Sequence, residues 1–108
     1  MKLCIDYLHE IERLKGWSPY RISKEVGLTS QRMYQLFNEG GTYNDETAFQ
    51  VARILELEPA VVMAAANAER AKSPEIKAVW TDLLEKISMG FNFFISNAKP
   101  RGGLFPAG

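Results

Sequence analysis

The sequence is short of residues on which several common kinds of protein depend. It contains one cysteine, Cys4, which excludes an internal disulfide and leads us to expect a reducing, cytoplasmic setting. Its single histidine, His9, is not placed by any motif beside a nucleophile or a carboxylate, so we expect no enzymatic activity. We find neither a ligand spacing for zinc nor a glycine-rich phosphate loop, and we expect no metal, cofactor or small-molecule ligand.

Long apolar runs and an excess of one charge are also missing. No stretch reaches the ~18 apolar residues of a membrane span. Because Lys2, Asp6 and Glu10 interrupt the N-terminal region, we expect no signal peptide and no membrane association. The 13 Lys and Arg residues balance 13 Asp and Glu residues, whereas proteins that bind nucleic acid usually carry a basic excess. Any DNA binding would have to come from the local placement of cations and from the pairing of subunits.

Strand signals are absent too, since no sustained alternation of apolar and polar residues is found. Apolar residues instead recur at spacings of three and four, and hydrophobic residues make up 46% of the chain, enough for a packed core. Hydroxyl caps, prolines and glycines divide this pattern into helices. We predict an all-α chain with helices at residues 2–15, 19–26, 30–38, 44–55, 58–72 and from 74 onward, where Gly90 is a candidate interruption.

Residues 19–38 carry the most specific pattern in the chain. Two short helices that pack at a steep angle need a small residue where they cross and a glycine where the chain leaves the first of them. Ser23 and Gly27 stand at those two positions. The apolar residues predicted for the inner face, with Phe37 interpreted as a further core residue, are Ile22, Val26, Leu28, Met33 and Leu36. The intervening positions are polar and suit a face turned to solvent or DNA.

The segment from Ser18 to Phe37, SPYRISKEVGLTSQRMYQLF, resembles the helix-turn-helix of Cro/repressor-type (xenobiotic-response-element) transcription regulators of phages and bacteria. Residues 45–59, DETAFQVARILELEP, are similar to the fourth helix and the start of the fifth helix of that family. Residues 67–80 look, more loosely, like small phage-associated relatives. The resemblance implies a five-helix Cro/repressor-like bundle over residues 1–72. A C-terminal amphipathic helix would follow at 73–98 and a flexible tail at 99–108.

The resemblance also implies roles for individual residues, because the third helix of such proteins enters the major groove with its N-terminal part. Base contacts are expected from Thr29, Ser30, Gln31, Tyr34 and Gln35, and a glutamine amide can bond bidentately to adenine. Contacts to the DNA backbone are expected from Tyr20, Arg21, Arg32, Thr42, Tyr43 and Asn44. The sequence departs from the family at Pro19, which replaces a phosphate-binding glutamine, and the loop 40–44 holds no Lys or Arg. We therefore expect weak binding by a single subunit.

The sixth helix has a regular apolar stripe that includes Trp80, Leu83, Leu84 and Ile87. Such a stripe needs a partner surface, which is either the rest of the same domain or a second subunit. Both alternatives remain open from the sequence. The expected function is that of a phage or prophage repressor that binds double-stranded DNA at a pseudo-palindromic operator as a homodimer. The alternative is a protein-interaction module on the same fold, antirepressor-like or antitoxin-like, with little DNA binding.

Overall fold

The computed structural model describes the backbone of residues 1–98 and the side chains of residues 1–90. Over that part of the chain the prediction of an all-α protein is confirmed, because six helices and no strand are found. The helices are α1 Cys4–Lys15, α2 Pro19–Val26, α3 Ser30–Glu39, α4 Asp45–Leu55, α5 Pro59–Arg70 and α6 Pro74–Ala98. The tail predicted to be flexible, residues 99–108, lies outside the described residues.

Local signals set most of the helix ends. The side chains of Ser18, Thr29 and Asn44 each accept a hydrogen bond from the backbone N–H three residues later, at 3.2, 3.1 and 2.9 Å. A cap of this kind contributes about 1 kcal/mol. Gly16 and Gly27 end α1 and α2 in the left-handed conformation, with φ of 70° and 80°. Residues with a Cβ adopt this conformation only with a steric penalty, so glycine is favoured at both helix ends.

Two details of the prediction are wrong. Gly90 does not interrupt α6, which continues to Ala98; a single glycine costs a helix only about 1 kcal/mol, and neighbouring turns can outweigh that. In the first helix, one inner face is predicted by the helical spacing of Leu3, Tyr7, Leu8, Ile11 and Leu14. Leu3 and Leu14 are nevertheless 39% and 56% exposed. Cys4 is buried in their place, as a small hydrophobic residue would be.

The core lies where α1 to α5 meet. Its buried side chains are Cys4, Tyr7, Leu8, Ile11, Ile22, Val26, Met33, Leu36, Tyr43, Ala48, Val51, Ala52, Ile54, Val62, Ala65 and Ala66. Helix α5 is rich in alanine, and its short side chains allow both α4 and α6 to pack against it. Leu84 of α6 is partly buried against the core. The sixth helix is thus held on α5 and extends beyond the core.

The length and hydropathy of the helices bear on whether any of them could cross a membrane. In the part of the chain that the structure describes, every helix is too short or too polar to cross a membrane.

Candidate nucleic-acid interface

Residues 27–29 join α2 to α3 in a tight turn. The N–H groups of Gly27 and Leu28 both donate to the carbonyl oxygen of Ser23, at 3.1 and 3.0 Å. Ser23 is buried, and its hydroxyl donates to the carbonyl oxygen of Tyr20 at 2.6 Å. The structure therefore places a small, internally hydrogen-bonded side chain at the predicted crossing point and a left-handed glycine at the predicted exit. A larger side chain at Ser23 would separate the two helices.

The inner faces of the two helices are packed as expected. Ile22, Val26, Met33 and Leu36 are all buried in the core. Phe37 is partly buried, and its ring meets the ring of His9 on α1 edge to face, with centroids 5.0 Å apart. The packing of Phe37 against the core supports its interpretation as a core residue, and the ring contact joins α3 to α1 at its edge.

The outer face of α3 carries the residues expected to read bases. Thr29, Ser30, Gln31, Tyr34 and Gln35 are all exposed, although they alternate with fully buried neighbours. Thr29 caps α3, so its oxygen is occupied as an acceptor while its hydroxyl hydrogen stays available. Ser30 is the first helical residue and is not the cap. The five side chains therefore share a surface that another molecule can reach.

Arg32, expected to contact a phosphate, is engaged within the protein. It is half-buried, and its Nη1 donates to Oε1 of Gln35 at 2.9 Å. Its Nη2 donates to the carbonyl oxygen of Thr42 at 2.8 Å. Arg32 thus connects α3 to the loop 40–44, and it is less free than an exposed cation to turn towards a phosphate.

The loop 40–44 differs most from the expectation. Tyr43 is only 4% exposed, so its side chain cannot reach a phosphate. Burial raises the pKa of its hydroxyl, which has no hydrogen-bond partner among the described residues. The carbonyl oxygen of Tyr43 accepts from Arg70 of α5, while the side chain of Asn44 is used to cap α4. The backbone amides of this loop, the hydroxyl of Thr42 and the NH₂ group of Asn44 remain as candidates for contact with DNA.

The burial of Tyr43 had a signal in the sequence that was missed. Tyr43 directly precedes Asn44, the N-cap of α4, and a hydrophobic residue at that position often packs back onto the fourth residue of the helix. That fourth residue is Ala48, which belongs to the same core cluster as Tyr43. An aromatic residue beside a helix cap should therefore have been assigned to the core.

Cations and aromatic rings gather before and along α2. We call this group, Lys15, Trp17, Tyr20, Arg21 and Lys24, the α2 patch. The guanidinium of Arg21 lies 4.5 Å from the ring of Trp17, and Nζ of Lys24 lies 5.1 Å from the ring of Tyr20. Arg21 also forms an ion pair with Glu25, at 3.0 Å. Tyr20 and Arg21 are thus exposed as predicted, and Lys15, Trp17 and Lys24 are neighbours that the sequence prediction left out.

The apolar stripe of α6 divides into two sides. Trp80, Leu84 and Ile87 are half-buried, with Leu84 against the core. Ile76, Val79 and Leu83 are 51%, 62% and 42% exposed, and we call these three residues the outer stripe. Packing within the chain therefore accounts for one side of the helix, while the outer stripe has no cover among the described residues.

No protein-family model matches this chain, and neither does a curated protein or a solved structure. The resemblance to Cro/repressor-type regulators stays a prediction from residues 18–59. A function has to be argued from the residues and geometry described above.

Proposed function

We propose that this protein is a sequence-specific DNA-binding transcription regulator in which α2, the turn 27–29 and α3 form a helix-turn-helix of the Cro/repressor type. The observation that carries the proposal is the division of α3 into two faces. Its inner residues are fully buried, which fixes the helix, and its outer residues, Gln31 and Gln35 among them, are exposed and bear hydrogen-bonding groups. A rigidly mounted helix with exposed amides is suited to reading base edges in a major groove.

The electrostatics at the helix N-termini support the same proposal. The first turns of α2 and α3, like that of α5, contain no acidic residue, whereas those of α1, α4 and α6 do. An N-terminus carries about half a positive charge, which favours phosphate where no carboxylate neutralises it. Two exposed cations of the α2 patch, Lys15 and Arg21, lie near the N-terminus of α2 in the sequence, and Lys24 lies in its last turn. Phosphates could therefore be bound locally although the chain has no net charge.

Weak binding by one subunit makes a dimer part of the proposal. Linking two modules raises affinity without any new contact to DNA, and the outer stripe of α6 is the surface we assign to a second copy. Two α3 helices about 34 Å apart would occupy successive major grooves of a pseudo-palindromic operator. The protein would then act as a repressor of the phage or prophage type, in the cytoplasm, by excluding polymerase from the site.

Selection of bound duplexes from a random pool tests the proposal directly. We expect enrichment of inverted half-sites with centres about 10 base pairs apart, and an affinity that falls steeply as salt rises. A variant with Gln31→Ala and Gln35→Ala is the matched control, because it should keep the salt-dependent binding and lose the enrichment. If wild-type protein enriches no sequence, the proposal is wrong, whether or not the protein binds random duplex at low salt.

The second candidate, a protein-interaction module of the antirepressor or antitoxin type, is favoured by one specific observation. The guanidinium of Arg21 is paired with Glu25 and that of Arg32 is used internally, so two of the expected phosphate contacts are already engaged. Tyr20 and Tyr34 are 51% and 46% exposed and would suit a protein surface. Absence of salt-dependent DNA binding in the same assay would select this candidate.

A further inference from the structure

The two glutamines on the outer face of α3 are in different chemical situations. Gln31 and Gln35 lie one helical turn apart and are both exposed. The side-chain oxygen of Gln35 accepts a hydrogen bond from Nη1 of Arg32 at 2.9 Å, while among the described residues Gln31 has no such partner. The two amides are therefore not equivalent as readers of DNA.

Arg32 is itself fixed from the other side. Its Nη2 donates to the carbonyl oxygen of Thr42 at 2.8 Å, so the guanidinium bridges α3 and the loop 40–44. Gly41 lies in this loop, and its φ of 126° is one that residues with a Cβ rarely adopt, so a glycine suits the path of the loop. The hydrogen bond to Thr42 thus restrains the guanidinium of Arg32 in a position next to Gln35.

The hydrogen bond sets which end of the Gln35 amide faces outward. A guanidinium has only donors, so the atom of Gln35 that meets it must be the carbonyl oxygen. The NH₂ group is then the free end. Arg32 adds its own remaining N–H groups, because two of its five donors are used. One of the two lone pairs of Oε1 is occupied by Arg32, so the Gln35–Arg32 pair offers mainly donors to an approaching molecule, whereas the free amide of Gln31 offers a donor and an acceptor equally.

We propose that Arg32 is a positioning residue for specificity: by engaging Oε1 of Gln35 it makes Gln35 a reader of guanine, while Gln31 reads adenine. This inference rests on the proposed function. Guanine presents two acceptors, N7 and O6, in the major groove, and adenine presents an acceptor and a donor. A pair in which donors predominate matches the two acceptors of guanine better than adenine, whose N6 donor would find only the second lone pair of Oε1, the atom already bonded to Arg32. The free amide of Gln31 matches adenine in the bidentate manner.

Selection from a random duplex pool, carried out with the full chain and with three variants, tests this inference. Gln31→Ala and Gln35→Ala identify which base pair each glutamine reads, because each should relax one position. We expect guanine to be preferred about tenfold or more over adenine at the position that Gln35→Ala relaxes, and adenine at the other. Arg32→Met keeps the length of the side chain but removes its donors and charge. At the position read by Gln35, this variant should shift the preference from guanine towards adenine. At the position read by Gln31, the preference should not change.

The outcomes separate the inference from the proposed function. If no sequence is enriched by wild-type protein, the proposed function fails and the inference fails with it. If a site is enriched but adenine is preferred opposite Gln35, only the inference is overturned. A uniform loss of affinity in Arg32→Met with an unchanged guanine preference would identify Arg32 as a phosphate contact and would also overturn it. If Arg32→Met does not fold, the wild-type and glutamine-variant preferences decide by themselves.

Discussion

The proposed dimer depends on the outer stripe of α6, and two substitutions there test it. Burying an aliphatic side chain completely contributes ~1.5–3 kcal/mol. Val79 and Leu83 are 62% and 42% exposed, so about half of the free energy of complete burial is still to be gained at each side chain. Covering each one by a partner subunit would therefore contribute ~1 kcal/mol. Val79→Glu with Leu83→Glu would remove ~2 kcal/mol from each subunit and ~4 kcal/mol from a symmetric dimer. The dissociation constant of the dimer should then rise roughly a thousandfold.

Two other variants show whether the effect belongs to that surface. Ala78→Glu with Thr81→Glu adds the same charge to exposed positions on another face of α6 and should leave the dimer intact. Leu84→Ala acts on the half-buried side that meets the core. It should lower the free energy of unfolding by ~2 kcal/mol, because a partly buried leucine leaves a smaller cavity than a fully buried one.

Sedimentation equilibrium over a range of concentrations measures the association, and circular dichroism checks that the helix content is retained. We expect wild-type protein and the Ala78, Thr81 variant to be dimeric where the Val79, Leu83 variant is monomeric. The reasoning is refuted if the Val79, Leu83 variant dimerises as tightly as wild type. It is refuted equally if wild-type protein stays monomeric at every concentration.

Three further predictions concern the recognition face and the core. Gln31→Ala should cost ~1–3 kcal/mol on the selected site, measured by titration, and an equal loss on random duplex would instead indicate a phosphate contact. Arg70→Ala, which removes the hydrogen bond to the Tyr43 carbonyl, should lower the free energy of unfolding by ~2 kcal/mol in denaturant titrations. The control Lys72→Ala, at an exposed position, should change that free energy by less than ~0.5 kcal/mol. Burial raises the pKa of the Cys4 thiol from 9.0 to about 12, so the thiol loses its proton more readily in the unfolded chain. Stability should therefore fall as pH rises from 9.0 to about 12, and Cys4→Ala should make that loss in melting temperature smaller; an identical pH profile for the variant would contradict this.

Helix positions followed from the sequence because the signals for them are local. Ser18 and Gly27 bracket α2 with a hydroxyl cap and a left-handed stop, and the structure has α2 at Pro19–Val26 as predicted. Thr29 caps α3 in the same way. A cap acts on backbone groups within one turn of itself, so it can be read without knowledge of the fold. The exposure of Gln31 and Gln35 likewise followed from helical spacing.

The tertiary structure alone decided what each exposed or apolar side chain meets. Tyr43 is buried because α4 and the core close over it, and Arg32 is engaged because the loop 40–44 returns to α3 after Gly41. These contacts join residues whose neighbourhood depends on how the chain turns between helices. The stripe of α6 was visible in the sequence, but its division into a packed side and an outer side depends on where α5 lies. Sequence periodicity gives the face of a helix, whereas the partner of that face is set by packing between elements distant along the chain.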